Sequence, residues 1–215
     1  MRVAVVENVL KLNDEIAALN RERFASAGVF VVDILGAPGC GKTALIEQTL
    51  RRLGDDVCVG VIVGDLATQR DADRMARFTN HVVQVNTGKT CHLEAYHVRR
   101  AMENLDLDQL DLLFIENVGN LICPVGFDLG QHAKVGLFSV SGGEDKAAKH
   151  PYLVRESDLL ILSKLDLLPH VPFDLDLFRD DIRALNPTVP LLELSAATEE
   201  GMSSWLDWLK KWPTR

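Results

Sequence analysis

The sequence lacks three features that mark common special classes of protein. No apolar run approaches the roughly 18 residues of a membrane-spanning helix, so we expect no membrane association. Basic residues are in deficit, with 23 Lys and Arg against 31 Asp and Glu and a net charge of −8. This balance argues against a broad nucleic-acid-binding surface, and we expect no nucleic-acid partner. Four scattered cysteines are too few for a disulfide scaffold.

Internal repeats, low-complexity segments and interdomain linkers are also missing. The N-terminal residues show no pattern of a cleaved signal peptide, so the expected location is the cytoplasm. The length of 215 residues and the apolar fraction of 47% suit one domain with a substantial core. We therefore expect a single domain over residues 1–215, with an amphipathic helix at about 5–23.

Apolar segments alternate with helical patterns along the chain, which predicts an α/β fold. We expect a mostly parallel β-sheet of about seven strands with helices on both faces, because near-continuous apolar strands need cover on both sides. Further helices are expected after Thr90, to about residue 104, and around Trp205 and Trp208. The predicted strands are 29–35, 57–63, 81–85, 111–116, 135–140, 159–162 and 189–194.

Residues 36–43 match G-x-x-x-x-G-K-[ST], the phosphate-binding P-loop of NTPases. A predicted strand precedes the motif and a predicted helix follows it, so loop N–H groups and the helix N-terminus can point at one phosphate. Lys42 would meet the β- and γ-phosphates, and the Thr43 hydroxyl would bind Mg²⁺. The expected nucleotide contacts are Gly36, Gly39, Cys40, Gly41, Lys42, Thr43 and Ala44.

Acidic residues follow two predicted strands and begin a helical segment. Ligands collect at the carboxyl ends of parallel strands, so Asp65 or Asp71 can bind Mg²⁺ or orient an attacking water. Glu116 ends its strand where a Walker B acid stands. With Lys42, these three form the expected catalytic set. The alternative is that Asp71 caps a helix and the other charges are solvated.

The segment from Ser163 to Asp166 follows another predicted strand and is similar to the N-K-x-D base-reading motif of GTPases. Asp166 would accept two N–H groups of guanine, and the Lys164 stem would cover the base. Ser163 stands where asparagine is expected, which weakens this assignment. Ser195 and Ala196 are expected base contacts after the last strand. A polar loop that caps a helix is the alternative.

Cys91, His92 and Cys123 form a possible metal site, because two thiolates and an imidazole suit Zn²⁺ or Ni²⁺. We expect Cys91 at a helix start, where its thiol pKa would be lowered. A fourth ligand would come from water, another side chain or a second subunit. His97 and His132 are possible extra ligands but suit ordinary surface positions. Two cysteines and a histidine can also serve other roles, so an unrelated role is the alternative.

Together, these segments resemble the HypB family of GTPases that assist nickel insertion into nickel-iron hydrogenase. The resemblance implies a homodimer favoured by GTP, bound GTP or GDP, and metal at Cys91, His92 and Cys123 near the subunit boundary. Lys146 or Lys149 would reach a phosphate across that dimer. A hydrogenase maturation accessory protein and the hydrogenase large subunit would be partners. The segments that carry the resemblance are 36–43, 64–74, 87–95, 115–121, 123–130, 143–146 and 164–169.

The first functional hypothesis is therefore a slow GTPase that acts as a nickel metallochaperone. Ser163, Ala197 and Gly142 depart from the family pattern. They motivate the second hypothesis, a nucleotide-binding, metal-dependent dimerisation module with negligible turnover. A P-loop kinase for a small molecule is the third, although the sequence shows no sign of a substrate pocket or lid.

Overall fold

The computed structural model describes residues 10–65, 70–88 and 90–211. Its centre is a seven-stranded sheet in the order β3-β2-β4-β1-β5-β6-β7, and every neighbouring pair is parallel. The predicted sheet is thus confirmed, with boundaries shifted by up to two residues. The strands are β1 Phe30–Gly36, β2 Val59–Asp65, β3 Val82–Asn86, β4 Leu112–Glu116, β5 Ala133–Ser139, β6 Leu159–Ser163 and β7 Leu191–Glu193.

Helices cover both faces of the sheet, as predicted. One apolar cluster joins α2, α3 and α8 to one face, and two others join α1, α4 and the α5–α7 group to the opposite face. Among the described residues, no helix is both long enough and apolar enough to cross a membrane. The helices are α1 Lys11–Ala27, α2 Lys42–Leu53, α3 Arg70–Met75, α4 Ala95–Met102, α5 Lys146–Lys149, α6 Pro151–Glu156, α7 Leu175–Leu185 and α8 Met202–Leu209.

Strand β1 lies between β4 and β5 near the middle of the sheet, and this order positions the site. Ile34 of β1 pairs with Glu116, the last residue of β4. Ser139 at the end of β5 pairs with Ser163 at the end of β6. The segments that follow β1, β4 and β6 therefore meet at one edge of the sheet, where parallel α/β proteins bind ligands.

Two predicted helix boundaries are wrong. Helix α1 continues to Ala27 rather than ending near residue 23. Gly28 caps it with a φ of 67°, a conformation that favours glycine. Its predicted start at residue 5 lies outside the described residues. The helix expected at Cys91 begins instead at Ala95, because Glu94 and His97 form a capping box in which His97 Nδ1 accepts a 3.0 Å hydrogen bond from the Glu94 N–H.

Candidate nucleotide and metal site

The P-loop joins β1 to α2 in a conformation that its glycines permit. Gly39 and Gly41 have φ values of 70° and 105°, a region that side-chain-bearing residues rarely adopt. Lys42 is buried, and its Nζ donates to the carbonyl oxygens of Gly36 at 3.2 Å and Ala37 at 3.3 Å. The lysine charge is therefore held inside the loop, where a phosphate would bind.

Thr43 and Glu116 are in direct contact beside the loop. Thr43 Oγ1 donates to Glu116 Oε1 at 2.6 Å. Burial raises the pKa of Glu116 to about 7, although the Thr43 hydrogen bond and the Lys42 charge oppose that rise. Glu116 Oε2 is buried and has no hydrogen-bond partner among the described residues. A buried carboxylate oxygen beside a hydroxyl suits a hard cation such as Mg²⁺.

A cavity of about 480 Å³, here called the P-loop cleft, opens beside these residues. The predicted Asp65, Asp71 and Glu116 all line it, and so does Arg74, which sequence reasoning did not assign a role. Arg74 Nη2 donates to Glu47 Oε2 of α2, and Arg74 Nη1 lies 3.5 Å from Asp71 Oδ1. Its spacing of three residues from Asp71 was the available signal, since residues so spaced share a helix face.

A second cavity of about 210 Å³, here called the β6 cavity, lies on the other side of the loop. Gly41 and Ala44 line both cavities, so the two spaces meet at the P-loop. The expected base-reading residues line the β6 cavity, namely Ser163, Lys164, Asp166, Ser195 and Ala196. A nucleotide with its base in this cavity can extend its phosphates towards the P-loop cleft.

Hydrogen bonds hold the acid of the β6 cavity in place. Ser195 Oγ donates to Asp166 Oδ1 and accepts from the backbone N–H groups of Ala197 and Thr198, both at 3.2 Å. Lys164 adopts the left-handed conformation, with a φ of 59°. Such a conformation is uncommon for a residue other than glycine and concentrates at functional sites.

Ser163 contacts the P-loop itself. Its Oγ donates to the Cys40 carbonyl at 2.5 Å, and its side chain is buried. This bond occupies the Cys40 carbonyl, and the expected contact of Cys40 with a nucleotide stays a prediction. Its thiol is also buried, which raises the thiol pKa. A Cβ added at Gly36 would lie 2.6 Å from Cys40 Sγ, so the sulfur packs where only glycine leaves room.

The fold brings Cys91 and Cys123 together from distant positions in the chain. Contact with the Cys123 thiol, followed by burial, raises the pKa of Cys91. The predicted lowering is wrong, because Cys91 precedes the first residue of α4 by four positions. His92 Nδ1 lies 3.8 Å from Cys91 Sγ. Within residues 10–65, 70–88 and 90–211, no group of three or more His, Cys, Asp and Glu side chains has metal-binding geometry.

The His92 ring is held in an apolar setting. It stacks on Phe127 with centroids 4.0 Å apart, and burial lowers its pKa. The Nε2 atom is buried without a hydrogen-bond partner in the described part of the chain, 3.6 Å from Glu94 Oε1. A neutral imidazole with a free nitrogen can bind a metal. The other candidate, His132, accepts a hydrogen bond from the Val31 N–H at Nδ1.

The two candidate phosphate-binding lysines lie on α5. Lys149 forms an ion pair with Asp145, and Lys146 begins the helix. Neither is among the described residues that line the P-loop cleft of this chain. A role across a dimer needs a second subunit, so it stays a prediction.

The fold and these cavities define a P-loop nucleotide-binding protein. A family model, described as the CobW/HypB/UreG nucleotide-binding domain, matches residues 30–193. The hydrogenase maturation factor HypB of Azotobacter chroococcum mcd 1 is 44% identical over 209 residues, which cover 97% of this chain and 68% of that protein. The chain belongs to the HypB family.

Two solved structures show the same similarity. The hydrogenase maturation factor HypB from Archaeoglobus fulgidus aligns with a TM-score of 0.88 and 39% identity, over 94% of this chain and 98% of that one. HypB from Helicobacter pylori, solved in complex with nickel, aligns with a TM-score of 0.89 and 34% identity over 94% of both chains.

Proposed function

We propose that this chain is a GTP-hydrolysing metallochaperone that assists nickel insertion during hydrogenase maturation. The observation that carries the nucleotide half is the meeting of two differently lined cavities at Gly41 and Ala44. One offers a lysine and an aspartate suited to guanine, and the other offers a lysine, a hydroxyl and three carboxylates suited to phosphates and Mg²⁺. The similarity to HypB from Helicobacter pylori, which was solved in complex with nickel, supports the proposed role in nickel binding.

Guanine binding would depend on Asp166 and Lys164. The Asp166 carboxylate accepts the N1–H and N2–H groups of guanine, while the Lys164 stem packs on the base. Adenine offers an acceptor at N1 and would face the carboxylate unfavourably. Ser195 supports the selection by holding Asp166 in position.

Hydrolysis would follow from charge placed around the γ-phosphate. Water attacks the γ-phosphorus, the bond to the β–γ bridging oxygen breaks, and GDP and inorganic phosphate leave. Lys42 exchanges its two carbonyl partners for phosphate oxygens and offsets their charge. Asp65 or Asp71 orients the water, and Arg74 adds a second cation at the cleft. We expect slow turnover, because Arg74 is paired with Glu47.

Thr43 and Glu116 would hold Mg²⁺, with Asp65 as a further oxygen ligand. The orphaned Glu116 Oε2 supports this assignment, since a cation would satisfy it. When bound, Mg²⁺ neutralises charge on the β- and γ-phosphate oxygens.

The cargo metal would be held by Cys91, Cys123 and His92. The adjacent thiols supply two soft ligands, and the buried His92 Nε2 supplies a third after a rotation of its ring. Ni²⁺ and Zn²⁺ both suit this donor set. A water or a second subunit completes the coordination. The homodimer would be favoured by GTP, and the metal would pass in the cytoplasm to an accessory protein and the hydrogenase large subunit.

The test combines phosphate release with metal binding. We would measure inorganic phosphate released from GTP, and Ni²⁺ affinity with GDP-Mg and with a non-hydrolysable GTP analogue, and read the dimer mass in the same samples. We expect release above the buffer rate and loss of Ni²⁺ binding in Cys91→Ala and Cys123→Ala. Lys42→Ala should abolish phosphate release and leave the two thiols intact.

Cys58→Ala is the matched control, because Cys58 lies before β2 at the opposite edge of the sheet. It should bind Ni²⁺ as the unaltered chain does. Unchanged Ni²⁺ binding in both Cys91→Ala and Cys123→Ala would refute the metal site. Absence of GTP turnover would favour a passive dimerisation module, and phosphate transfer to an acceptor other than water would indicate a kinase.

A further inference from the structure

The Asn117 side chain joins the nucleotide side of the sheet to the segment Cys91, His92 and Leu93, here called the metal loop because the proposed metal ligands Cys91 and His92 belong to it. Its Oδ1 accepts from the backbone N–H groups of Leu93 at 3.1 Å and Val118 at 3.0 Å. Its Nδ2 donates to Asp33 Oδ1 at 3.1 Å. All three bonds are buried, and the two N–H donors fix which end of the amide is oxygen. Asn117 thus has a single arrangement that satisfies its neighbours.

Leu93 directly follows Cys91 and His92, so the contacts that hold Leu93 in place also hold the metal loop. Besides its hydrogen bond to Asn117, Leu93 packs its buried side chain over Gly64. A Cβ added at Gly64 would lie 2.8 Å from Leu93 Cγ. The loop is therefore fixed at two points, one at the end of β2 and one just beyond the end of β4.

Both anchor points belong to the P-loop cleft. Gly64 and Asn117 line it, and each is the chain neighbour of an acid proposed to act there, Asp65 or Glu116. A small shift of either strand end when the γ-phosphate binds would move Leu93, because the connecting bonds are buried and closely packed. Packed cores switch between discrete arrangements rather than deform continuously.

We infer that Asn117 is a positioning residue through which the nucleotide state changes the metal affinity of the Cys91–His92 loop. The inference rests on the proposed function, since it concerns a chain that binds both ligands. Asp33 is fully buried in β1 and holds the amide end of Asn117 in place. The bonds from Asp33 through Asn117 to Leu93 are here called the relay. Linkage requires the effect to be reciprocal, so metal at the loop must change nucleotide affinity by the same factor.

The first measurement uses metal-free protein. Hydrogen exchange of the Leu93 amide would be compared with GDP-Mg and with the GTP analogue bound. We expect the exchange rate to differ between the two nucleotides in the unaltered chain, and this difference to disappear in Asn117→Ala. Because no metal is present, the result does not depend on whether the chain carries nickel.

The second measurement is the ratio of Ni²⁺ affinities with the two nucleotides. Coupling of ordinary size makes this ratio about 5- to 150-fold, and we expect Asn117→Ala to bring it close to one. The double variant Asp33→Asn/Asn117→Asp exchanges donor and acceptor but allows every bond of the relay, so it should restore the ratio. It also guards against a single variant that folds poorly.

Asn13→Ala is the matched control. Asn13 Oδ1 accepts from the Ala95 N–H at 2.8 Å, two residues beyond Leu93, but it belongs to α1 rather than to a strand end at the cleft. This variant should keep the ratio. The inference is overturned if Asn117→Ala also keeps the ratio of Ni²⁺ affinities. It is overturned as well if the Leu93 amide of the unaltered chain exchanges at the same rate with either nucleotide. A chain that shows nucleotide-dependent exchange of Leu93 yet binds no Ni²⁺ would refute the proposed function and the effect on metal affinity, and only the link from the nucleotide to Leu93 through Asn117 would stand.

Discussion

Ser163 Oγ donates a 2.5 Å hydrogen bond to the carbonyl of Cys40 in the P-loop. The hydroxyl therefore stabilises the loop from the end of β6, and a short serine reaches it because the two segments are packed together. A Cβ at Gly41 would lie only 3.6 Å from the same oxygen. The residue that occupies the asparagine position of the base-reading motif thus has a structural contact with the phosphate-binding loop.

Ser163→Ala should weaken binding of every nucleotide to the same degree. The loss of one hydrogen bond is worth about 1 kcal/mol, or roughly a fivefold fall in affinity. The ratio of GDP to ADP affinity should stay constant, because the hydroxyl is bonded to the loop rather than placed to read the base. Titration of both nucleotides checks this, and a fall confined to GDP would show that Ser163 reads guanine directly.

Asp166→Asn should reduce guanine preference. The amide can accept only one of the two guanine N–H groups without presenting its own donor to the other, so GTP affinity should fall roughly 10- to 100-fold. ATP affinity should hold or rise. Ser195→Ala is the milder comparison, because it removes only the hydroxyl that orients Asp166. Equal losses for GTP and ATP in Asp166→Asn would argue that the carboxylate supports the fold instead.

Glu116→Gln should stabilise the nucleotide-free chain by an amount that grows with pH. The pKa of Glu116 rises from 4.5 to about 7 on folding. Its raised pKa means that the wild-type carboxyl destabilises the fold increasingly as pH rises from about 4.5 to about 7. Glutamine carries no titrating group and removes this effect. Above pH 7 the free energy of unfolding of Glu116→Gln should therefore exceed that of the unaltered chain by about 3 kcal/mol.

Urea unfolding of both proteins at pH 5 and pH 8 measures this gain. Asp33, whose pKa burial also raises to about 7, titrates in the same range but contributes equally to both proteins. The difference between them therefore isolates Glu116. A difference that stays flat between the two pH values would mean that Glu116 is already ionised in the folded chain.

Gly119→Ala should weaken nucleotide binding through a backbone collision. A Cβ at Gly119 would lie 2.9 Å from the Pro38 Cα and 3.0 Å from its nitrogen, so the P-loop backbone itself must shift. We expect a loss of at least tenfold in GDP affinity by calorimetric titration. Gly126→Ala is the matched control, since the nearest atom to a Cβ at Gly126 would be the Tyr152 hydroxyl oxygen at 3.6 Å, an ordinary van der Waals distance. An unchanged GDP affinity in Gly119→Ala would mean that the P-loop accommodates the added methyl group.

The parts of the fold with a local signal are predictable from the sequence. The strand β4 was predicted at 111–116 and lies at Leu112–Glu116, because a run of apolar residues ending in an acid has few alternatives. The P-loop was likewise identified from eight consecutive residues. The start of α4 was missed, since the capping pair Glu94 and His97 is not the usual Ser or Thr with Glu.

The long-range polar contacts were beyond the sequence. Asp33 looked like one polar residue in an apolar strand, and nothing local indicated that Asn117, 84 residues later, would donate to it. The spacing of Arg74 from Asp71 indicates a shared helix face but not a place at the cleft. Its position at the cleft depends on the pairing with Glu47 of another helix.

The sequence by itself determined the alternation of strands and helices, the P-loop, and the residue types available for guanine, magnesium and a soft metal. Spacing within a short segment decides these features, because backbone periodicity and loop chemistry act over a few residues. Only the tertiary structure decided that Cys91 meets Cys123, that Ser163 bonds to the P-loop, and that Asn117 links the end of β4 to Leu93. Those contacts depend on the strand order, which brings distant segments to one edge of the sheet.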